Sequence, residues 1–444
     1  MKYGYLILLV SLAGGGALPG RAQDLRPASQ RHLDSAEGVS VDEAVRRALE
    51  RNGELLAERK QLEEAQGRLR QAGLRANPML DVMGGSSVND RGMNEVNVGV
   101  SLPLELGGRR SRRIEVADRE LRRMRLEIGD RERRLAADVR MKYGETIATA
   151  RNRELVDRLV ELNGRSYELV KARVDAGASA PLEQSQLRVE VGRLDAQRTT
   201  LGARLDLLLE ELKNMLGMAT EEPLLLRDEF AAPASPLTKE QAITQALASR
   251  PDLEAAREAE NLADAMIEQA KTEGRFDVSL FTQFGRQTLR FDQFGISQEA
   301  GAAERVMMTN YMVRGGVSIN LPVRNRNQGT IEAAAAARET ARLRRVFLES
   351  VIRREVTTAF IRRDGAAGVL KTFDLDLLSA SKNNLRIALA SYELGHLRLT
   401  EVLNEQRRLV EVEMSHTEAL REHFQSSVEL ESALGGPART RRNP

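Results

Sequence analysis

The sequence predicts an α+β protein in which very long antiparallel helices carry four short strands, with the whole unit built twice in tandem. Three observations predict it. In the stretch 95–113, EVNVGVSLPLELGGRRSRR, Val96, Val98, Val100 and Leu102 alternate with Glu95, Asn97, Gly99 and Ser101, the period of a strand with one apolar and one polar face. After Gly107 and Gly108 the period changes, and Ile114, Leu121, Ile128 and Leu135 recur every seven residues as on a long helix. The same change is written again at 313–328, VRGGVSINLPVRNRNQ, where Val317, Ile319 and Leu321 alternate with Ser318 and Asn320 before Pro322 and a second helix. Third, aromatic residues are 4% of the chain and charged residues 30%, with no Trp and no Cys. Long helix pairs need only an aliphatic seam, whereas thick globular cores use aromatics heavily.

The composition also excludes classes. Across 444 residues the formal charge is +2, too small a bias for a nucleic-acid binder. Mean hydropathy is −0.40 and no long apolar run occurs beyond the N-terminus, which excludes a bundle of membrane helices. A β-barrel stays open, because its strands show only alternation. Residues 1–22 read as a secretory signal: Lys2 supplies the charge, Tyr5 to Ala13 the apolar core, and Gly20 and Ala22 the small residues before Gln23. That run is too short for a membrane anchor. Export from the cytoplasm is expected, with no Cys to carry a disulfide or an N-terminal lipid.

In order, 23–39, with Pro27, Ser29, Ser35 and Gly38, reads as a flexible leader. The first repeat spans 40–217. Its opening helix from Val41 places Ala44, Ala48, Leu55, Leu62 and Leu69 on one face and ends near Gly73 and Pro78. A hairpin follows at about 79–104, with Pro103 expected to end its second strand. A helix at about 109–174 would run roughly 100 Å at 1.5 Å per residue, longer than a compact domain needs. It reverses at 175–181, DAGASAP, into a return helix at about 181–217 whose seam is read as Leu187, Val191, Leu194, Leu201, Leu205, Leu208, Leu212 and Met215.

Residues 218–236, with three prolines, link the halves as an equatorial segment, and the second repeat spans 237–435. EQAITQALASRPDLEAA answers DEAVRRALERNGELLAE, and strands at about 276–285 and 311–322 flank a polar loop. A long helix at about 328–392 then reverses at ELGHLRL into a return helix at about 399–434. A duplication maintained gap by gap is a strong signal of repeat architecture. The tail, 436–444, is expected to be disordered.

These residues resemble the TolC family of outer-membrane efflux channels over nearly all of the chain after the signal. The resemblance rests on the tandem copies of helix, hairpin, long helix and return helix, on VSLPLELGGRR, and on YELGHLRLTEVLNEQ, which is similar to the family's second hairpin tip. It implies an α+β membrane protein: a homotrimer whose four strands per chain build a shared twelve-stranded outer-membrane β-barrel, above a periplasmic α-barrel of long helices. Four strands cannot close a barrel and lipid does not tolerate open edges, so neighbouring chains must complete it. The implied function is a passive exit duct in the outer membrane, extending into the periplasm. It would work with a periplasmic adaptor (membrane fusion protein) and, through the adaptor, with an RND-type inner-membrane pump, without cofactor or catalysis. LELGGRR and the AGASAPLEQSQLRVE tip resemble the members that export heavy-metal cations; multidrug efflux and type I secretion are the alternatives.

By the resemblance, Glu401 and Asn404 match the acidic pair at the pore aperture, with one carboxylate replaced by an amide. Their first-repeat counterparts, Glu183 and Gln186, are expected on an outer or intersubunit face. Both reversals are candidate adaptor-docking tips, through Gly177, Ala178, Ser179 and Leu182 in the first and Gly395, Leu397 and Leu399 in the second. The run Arg109, Arg110, Arg112 and Arg113 opens a helix, where the dipole disfavours cations; phosphates of the inner leaflet and a plain solvated face are equal readings. His416 and His423, seven residues apart, stand roughly 10 Å from each other along a helix, too far to share one metal ion. No HExxH, GxxxxGK[ST] or GxSxG occurs, which argues against the enzyme classes those motifs mark. A periplasmic coiled-coil adaptor or interaction protein would explain the signal and the helices, but not four strands at matching points of two repeats.

Overall fold

The computed structural model describes residues 32–34, 38–86, 93–230, 237–296, 299 and 301–436, without the side chains of 374 and 375. The expected signal, 1–22, and the tail from 437 onward lie outside the described residues. Helix α1 (Val41–Arg51) is capped by the Ser40 hydroxyl, and α2 (Gly53–Ala72) follows after a break at Asn52, where a single helix was expected. The break has a local cause. The Asn52 side-chain oxygen accepts the Leu55 N–H (3.1 Å) as an N-cap, while its amide donates to the Met215 carbonyl (3.2 Å).

The second repeat breaks at the matching point. Helix α5 (Lys239–Ser249) ends at Arg250, and α6 (Pro251–Glu273) starts with proline in its first turn, where the missing N–H removes no helical bond. Arg250 reaches the Ala433 carbonyl (3.4 Å), as Asn52 reaches that of Met215. Met215 and Ala433 close α4 (Pro181–Met215) and α9 (Leu399–Ala433). Each is followed two residues on by a glycine at positive φ, Gly217 (64°) and Gly435 (110°), which lets the chain turn back onto the end of α1 or α5. The duplication read from the sequence is therefore repeated in hydrogen bonds.

Helix α3 (Arg109–Asp175) runs unbroken for 67 residues. Along one half it packs against α2 and α6, and along the other against α4 and α9. Its counterpart does not run unbroken: α7 (Gln328–Thr372) passes through a π turn at Phe373–Leu377 into α8 (Leu378–Glu393). Helix α7 lies against α6 and α9, and α8 pairs with α9. At mid-length the core gathers Tyr143, Leu205, Leu212, Leu216, Leu226 and Phe424, all nearly inaccessible. The end of the expected flexible leader is held there too. Leu33 and Val39 bridge Leu226, and the Tyr143 hydroxyl lies 2.9 Å from the Val39 carbonyl and 2.8 Å from that of Arg227. Buried backbone needs partners, and this segment finds them.

The strands form one antiparallel sheet in sequence order: β1 (Met79–Ser86), β2 (Met93–Leu104), β3 (Asp277–Ile296) and β4 (Ala303–Asn320). Strand β2 continues past Pro103, which was expected to end it. Its pairing with β1 stops at Ser101 while that with β3 runs to Leu104, so the missing N–H falls on a locally free edge. The expected polar loop after Gly285 is mostly strand, because β3 and β4 pair out to Ile296 and Ala303 with a bulge between Arg290 and Phe294. At 20 and 18 residues these strands are longer than the 9–11 that suffice to cross hydrocarbon.

The basic run is also explained by packing. Arg110 donates to the Gly73 carbonyl (2.8 and 2.6 Å), and Arg113 to those of Ala72 (3.0 Å) and Leu74 (2.9 Å) and to Glu105. Arg109 bonds the carbonyls of Glu273 (3.2 Å) and Arg275 (2.8 Å). Cations unsuited to their own helix N-terminus cap the C-termini of α2 and α6, which end beside it, where the dipole favours them. Neither a lipid phosphate nor a plain solvated face describes these three residues.

Candidate functional site

Two regions bear on function: the paired reversals at the far end of the helices, and the strand wall. At both reversals a glycine at positive φ, Gly177 (72°) and Gly395 (75°), follows the helix end. The Ala178 N–H then bonds the Arg173 carbonyl (2.7 Å), and the His396 N–H that of Ser391 (2.8 Å). The same C-terminal motif closes both tips, and space around each glycine is open.

The expected docking residues divide. Gly177, Ala178, Leu182 and Gly395 are exposed, while Ser179 and Leu397 are half-buried. Leu399 is a correction: only 6% exposed, it packs with Val170, Leu187 and Leu403 between the hairpins, because the first turn of α9 faces inward. The exposed leucine of the second tip is instead Leu394, 72% exposed against 65% for Leu182. A groove of about 540 Å³ separates the hairpins, lined by Leu169, Arg173, Glu183, Leu389, Tyr392 and Gln406 among others. Glu183 lines this groove and Gln186 meets Thr400 of the other tip (3.4 Å). Glu401 and Asn404 are both exposed on one side of α9. The Glu401 carboxylate accepts the Arg398 N–H (2.8 Å), capping its own helix.

The heptad reading missed the buried charge that ties the hairpins together. It put Val191 in the seam, but the neighbouring Glu190 is the buried residue, its side chain 3% exposed, since α4 faces α9 as well as α3 here. Its carboxylate accepts from Arg193 on its own helix (2.6 Å) and from Arg407 on α9 (2.7 Å). A glutamate three residues after Leu187 and four before Leu194 is the signal that could have exposed it. Burial pushes the Glu190 carboxyl up, but the hydrogen bonds from Arg193 and Arg407 outweigh that and hold its pKa below the ordinary value. A depressed carboxyl stabilises above its unfolded-state pKa and loses that contribution as pH falls through the folded value. The tie is thus expected to hold at neutral pH and to be lost only at acid pH below the ordinary glutamate range, contributing on the order of 1 kcal/mol because both arginines are half exposed. With spin labels on cysteines introduced at Ala178 and His396, the distance distribution should broaden at acid pH in the natural chain. In Glu190→Gln it should be broad throughout; a narrow distribution there at neutral pH would show that the tie does not set the tip spacing.

In the strand wall the register sorts most side chains by polarity, although Met83, Phe281 and Met312 share the polar face. Val82, Val96, Val98, Val100, Leu102, Leu280, Phe284, Val313, Val317 and Ile319 share one exposed face. Asp81, Glu95, Asn97, Gln283, Gln287 and Arg314 share the other. Lipid on the first and water on the second is the arrangement of a membrane barrel wall. Strands β1 and β4 each keep an unpaired edge. Among the described residues no helix is long and apolar enough to cross a membrane, and no three His, Asp or Glu side chains gather to hold a metal ion.

A sheet apolar on one face and polar on the other, set on a rod of paired long helices, defines a membrane channel subunit of the efflux class. The chain belongs to the outer membrane efflux protein family, whose profile matches residues 44–218 and again 242–436. Among curated relatives it is 22% identical over 408 residues to the cobalt-zinc-cadmium resistance protein CzcC of Cupriavidus metallidurans, covering 90% of this chain and 91% of that one. It is 24% identical over 287 residues to the nickel and cobalt resistance protein CnrC of the same organism, covering 63% and 62%. Among solved structures it resembles CusC (TM-score 0.70, 18% identity, 89% and 92% covered). It also resembles the open state of the MtrE channel of Neisseria gonorrhoeae (TM-score 0.70, 17% identity, 97% and 98% covered). The TolC-like fold expected from the sequence is the fold these structures share.

Proposed function

We propose that the chain is the outer-membrane duct of a three-part efflux system and that its cargo is heavy-metal cations. The observation that carries the duct is the two-faced strand wall with open edges at β1 and β4. The cargo rests on the near full-length match to a cobalt-zinc-cadmium resistance protein. Three copies would give twelve strands, close the barrel and leave no edge in lipid. The signal at 1–22 would export the chain, and the helices would extend into the periplasm. There the tips, through Gly177, Ala178, Leu182, Leu394 and Leu397, would meet an adaptor coupled to an inner-membrane pump of the RND type. The duct does no chemistry. A deletion strain should become sensitive to cobalt, zinc, cadmium or nickel, and restoring the gene should reverse it; sensitivity confined to dyes and antibiotics would assign it to multidrug efflux.

In the closed duct, a ring of Glu401 and Asn404 would form the aperture and favour cations. The bond from Arg398 to Glu401 supports a second reading, a helix cap alone. Glu401→Gln separates the two, since the amide oxygen can still cap but carries no charge. The aperture reading expects a clear fall in cation over anion selectivity in planar-bilayer recordings, and the cap reading expects none.

A further inference from the structure

We propose that the outward face of β3, at Arg286 and Arg290, binds a phosphate-bearing lipid headgroup of the external leaflet. The inference rests on reading the chain as an outer-membrane channel. Strand pairing places Arg286 opposite Val96 and Tyr311, on the lipid-facing side of the sheet, and Arg290 opposite Met307 on that same side. Both are exposed. Among the described residues neither has an ion-pair partner, whereas nearby Arg305 has Asp292 (3.7 Å).

Their height follows from the strand. From Val278, the first residue of β3 on this face and itself buried at the foot of the sheet, to Arg286 is eight residues, about 26 Å along the strand and roughly 20 Å along the membrane normal at the usual tilt. Against an apolar band about 25 Å tall, Arg286 stands just inside the outer boundary, where its long side chain can snorkel to the headgroups, toward the end of the sheet away from the helices. Tyr311 stacks against Phe284 beside it (6.1 Å between ring centroids), the aromatic girdle expected at that depth. Arg290, four residues on, lies among the headgroups.

Charge is segregated there. Among the described outward positions at and above that level the cations are Arg286, Arg290 and Arg305, and one carboxylate, Asp292, pairs with Arg305 (3.7 Å), which leaves Arg286 and Arg290 in excess. The other carboxylates of these strands, Asp81, Glu95, Asp277 and Glu304, are on the inward face. A cation at the lipid boundary with no protein anion is matched by an anion of the lipid itself, and guanidinium forks bind phosphate oxygens in pairs. Thr288 lies between the two arginines on the same face, offering a hydroxyl to the same headgroup.

The test is native mass spectrometry of the assembled protein in detergent, with diphosphorylated lipid A, its phosphate-free analogue, and inorganic phosphate as competitor. The natural protein should retain the phosphorylated lipid about tenfold better than the analogue. Arg286→Gln with Arg290→Gln should abolish the preference, the paired Lys substitutions should keep part of it, and the inward Arg314→Gln should leave it unchanged. An undiminished preference in the Gln pair overturns the proposal, as does displacement of the lipid by millimolar inorganic phosphate, which would mark a free-anion site. Conductance in bilayers without phosphorylated lipid, recorded for the natural protein and the Gln pair, checks assembly. Its absence in the natural protein would sink the channel reading and would be distinguishable from a failure of lipid selectivity alone.

Discussion

Replacing Arg250 with alanine is expected to destabilise the protein by about 3–5 kcal/mol, the range for breaking a buried ion pair by removing one partner. The Arg250 side chain is 4% exposed and that of Asp252 11%. The guanidinium donates to both Asp252 oxygens (3.0 and 2.6 Å) and to Glu355 on α7 (2.6 Å), besides the Ala433 carbonyl. Burial pushes the Asp252 carboxyl up, and Arg250 more than reverses it, holding the pKa below the ordinary value. Without Arg250 that carboxylate keeps only the Leu253 N–H (2.9 Å) and the charge of Arg133 nearby. Arg250→Lys should recover little, because one ammonium cannot span a forked carboxylate, a second carboxylate and a carbonyl. Adding Asp252→Ala to Arg250→Ala should restore part of the loss, since the stranded charge is gone. Chemical unfolding of the solubilised protein, followed by helical circular dichroism, reads all three variants. A loss under about 1 kcal/mol in Arg250→Ala would mean the pair is already solvated.

Phe424→Ala should have an effect of the same size, about 3–5 kcal/mol for a fully buried phenylalanine. The ring, on α9 of the second repeat, is 1% exposed. It lies against Gly144 of α3 in the first repeat, so closely that a Cβ at 144 would stand 2.6 Å from the ring. Phe230 meets it edge to face at 5.9 Å. The glycine and the phenylalanine are one fitted contact between the repeats. Gly144→Ala alone should therefore overpack the site and destabilise by about 1–3 kcal/mol. The pair Gly144→Ala with Phe424→Ala should lose less than the sum of the singles, because the new methyl enters the space the ring vacates. Additive losses in that cycle would show that the two residues do not share a cavity.

Much of this molecule is legible in local patterns. The alternation from Glu95 to Leu102 is a strand because its side chains meet two different media, and the pattern of those media is written residue by residue. The tips at Gly177 and Gly395 are legible for a similar reason: a positive φ is a property of one residue and its neighbours. What the patterns missed was mostly set by a second element. Pro103 looks like a strand end until β1 is seen to stop short of it, and the polar stretch after Gly285 looks like a loop until β4 pairs with it. The arginines at 109–113 looked misplaced because the helix ends they cap belong to α2 and α6.

By itself the sequence determined the repeat, the order of helices and strands, the turns and the face of each strand, since all depend on period or on single-residue backbone freedom. Only the tertiary structure decided which charges are buried and which leucines are free. Glu190 rather than Val191 lies inside, and Leu394 rather than Leu399 lies outside, because α4 and α9 each have neighbours on more than one side. A heptad pattern records one seam, whereas burial is the sum over every seam a helix shares.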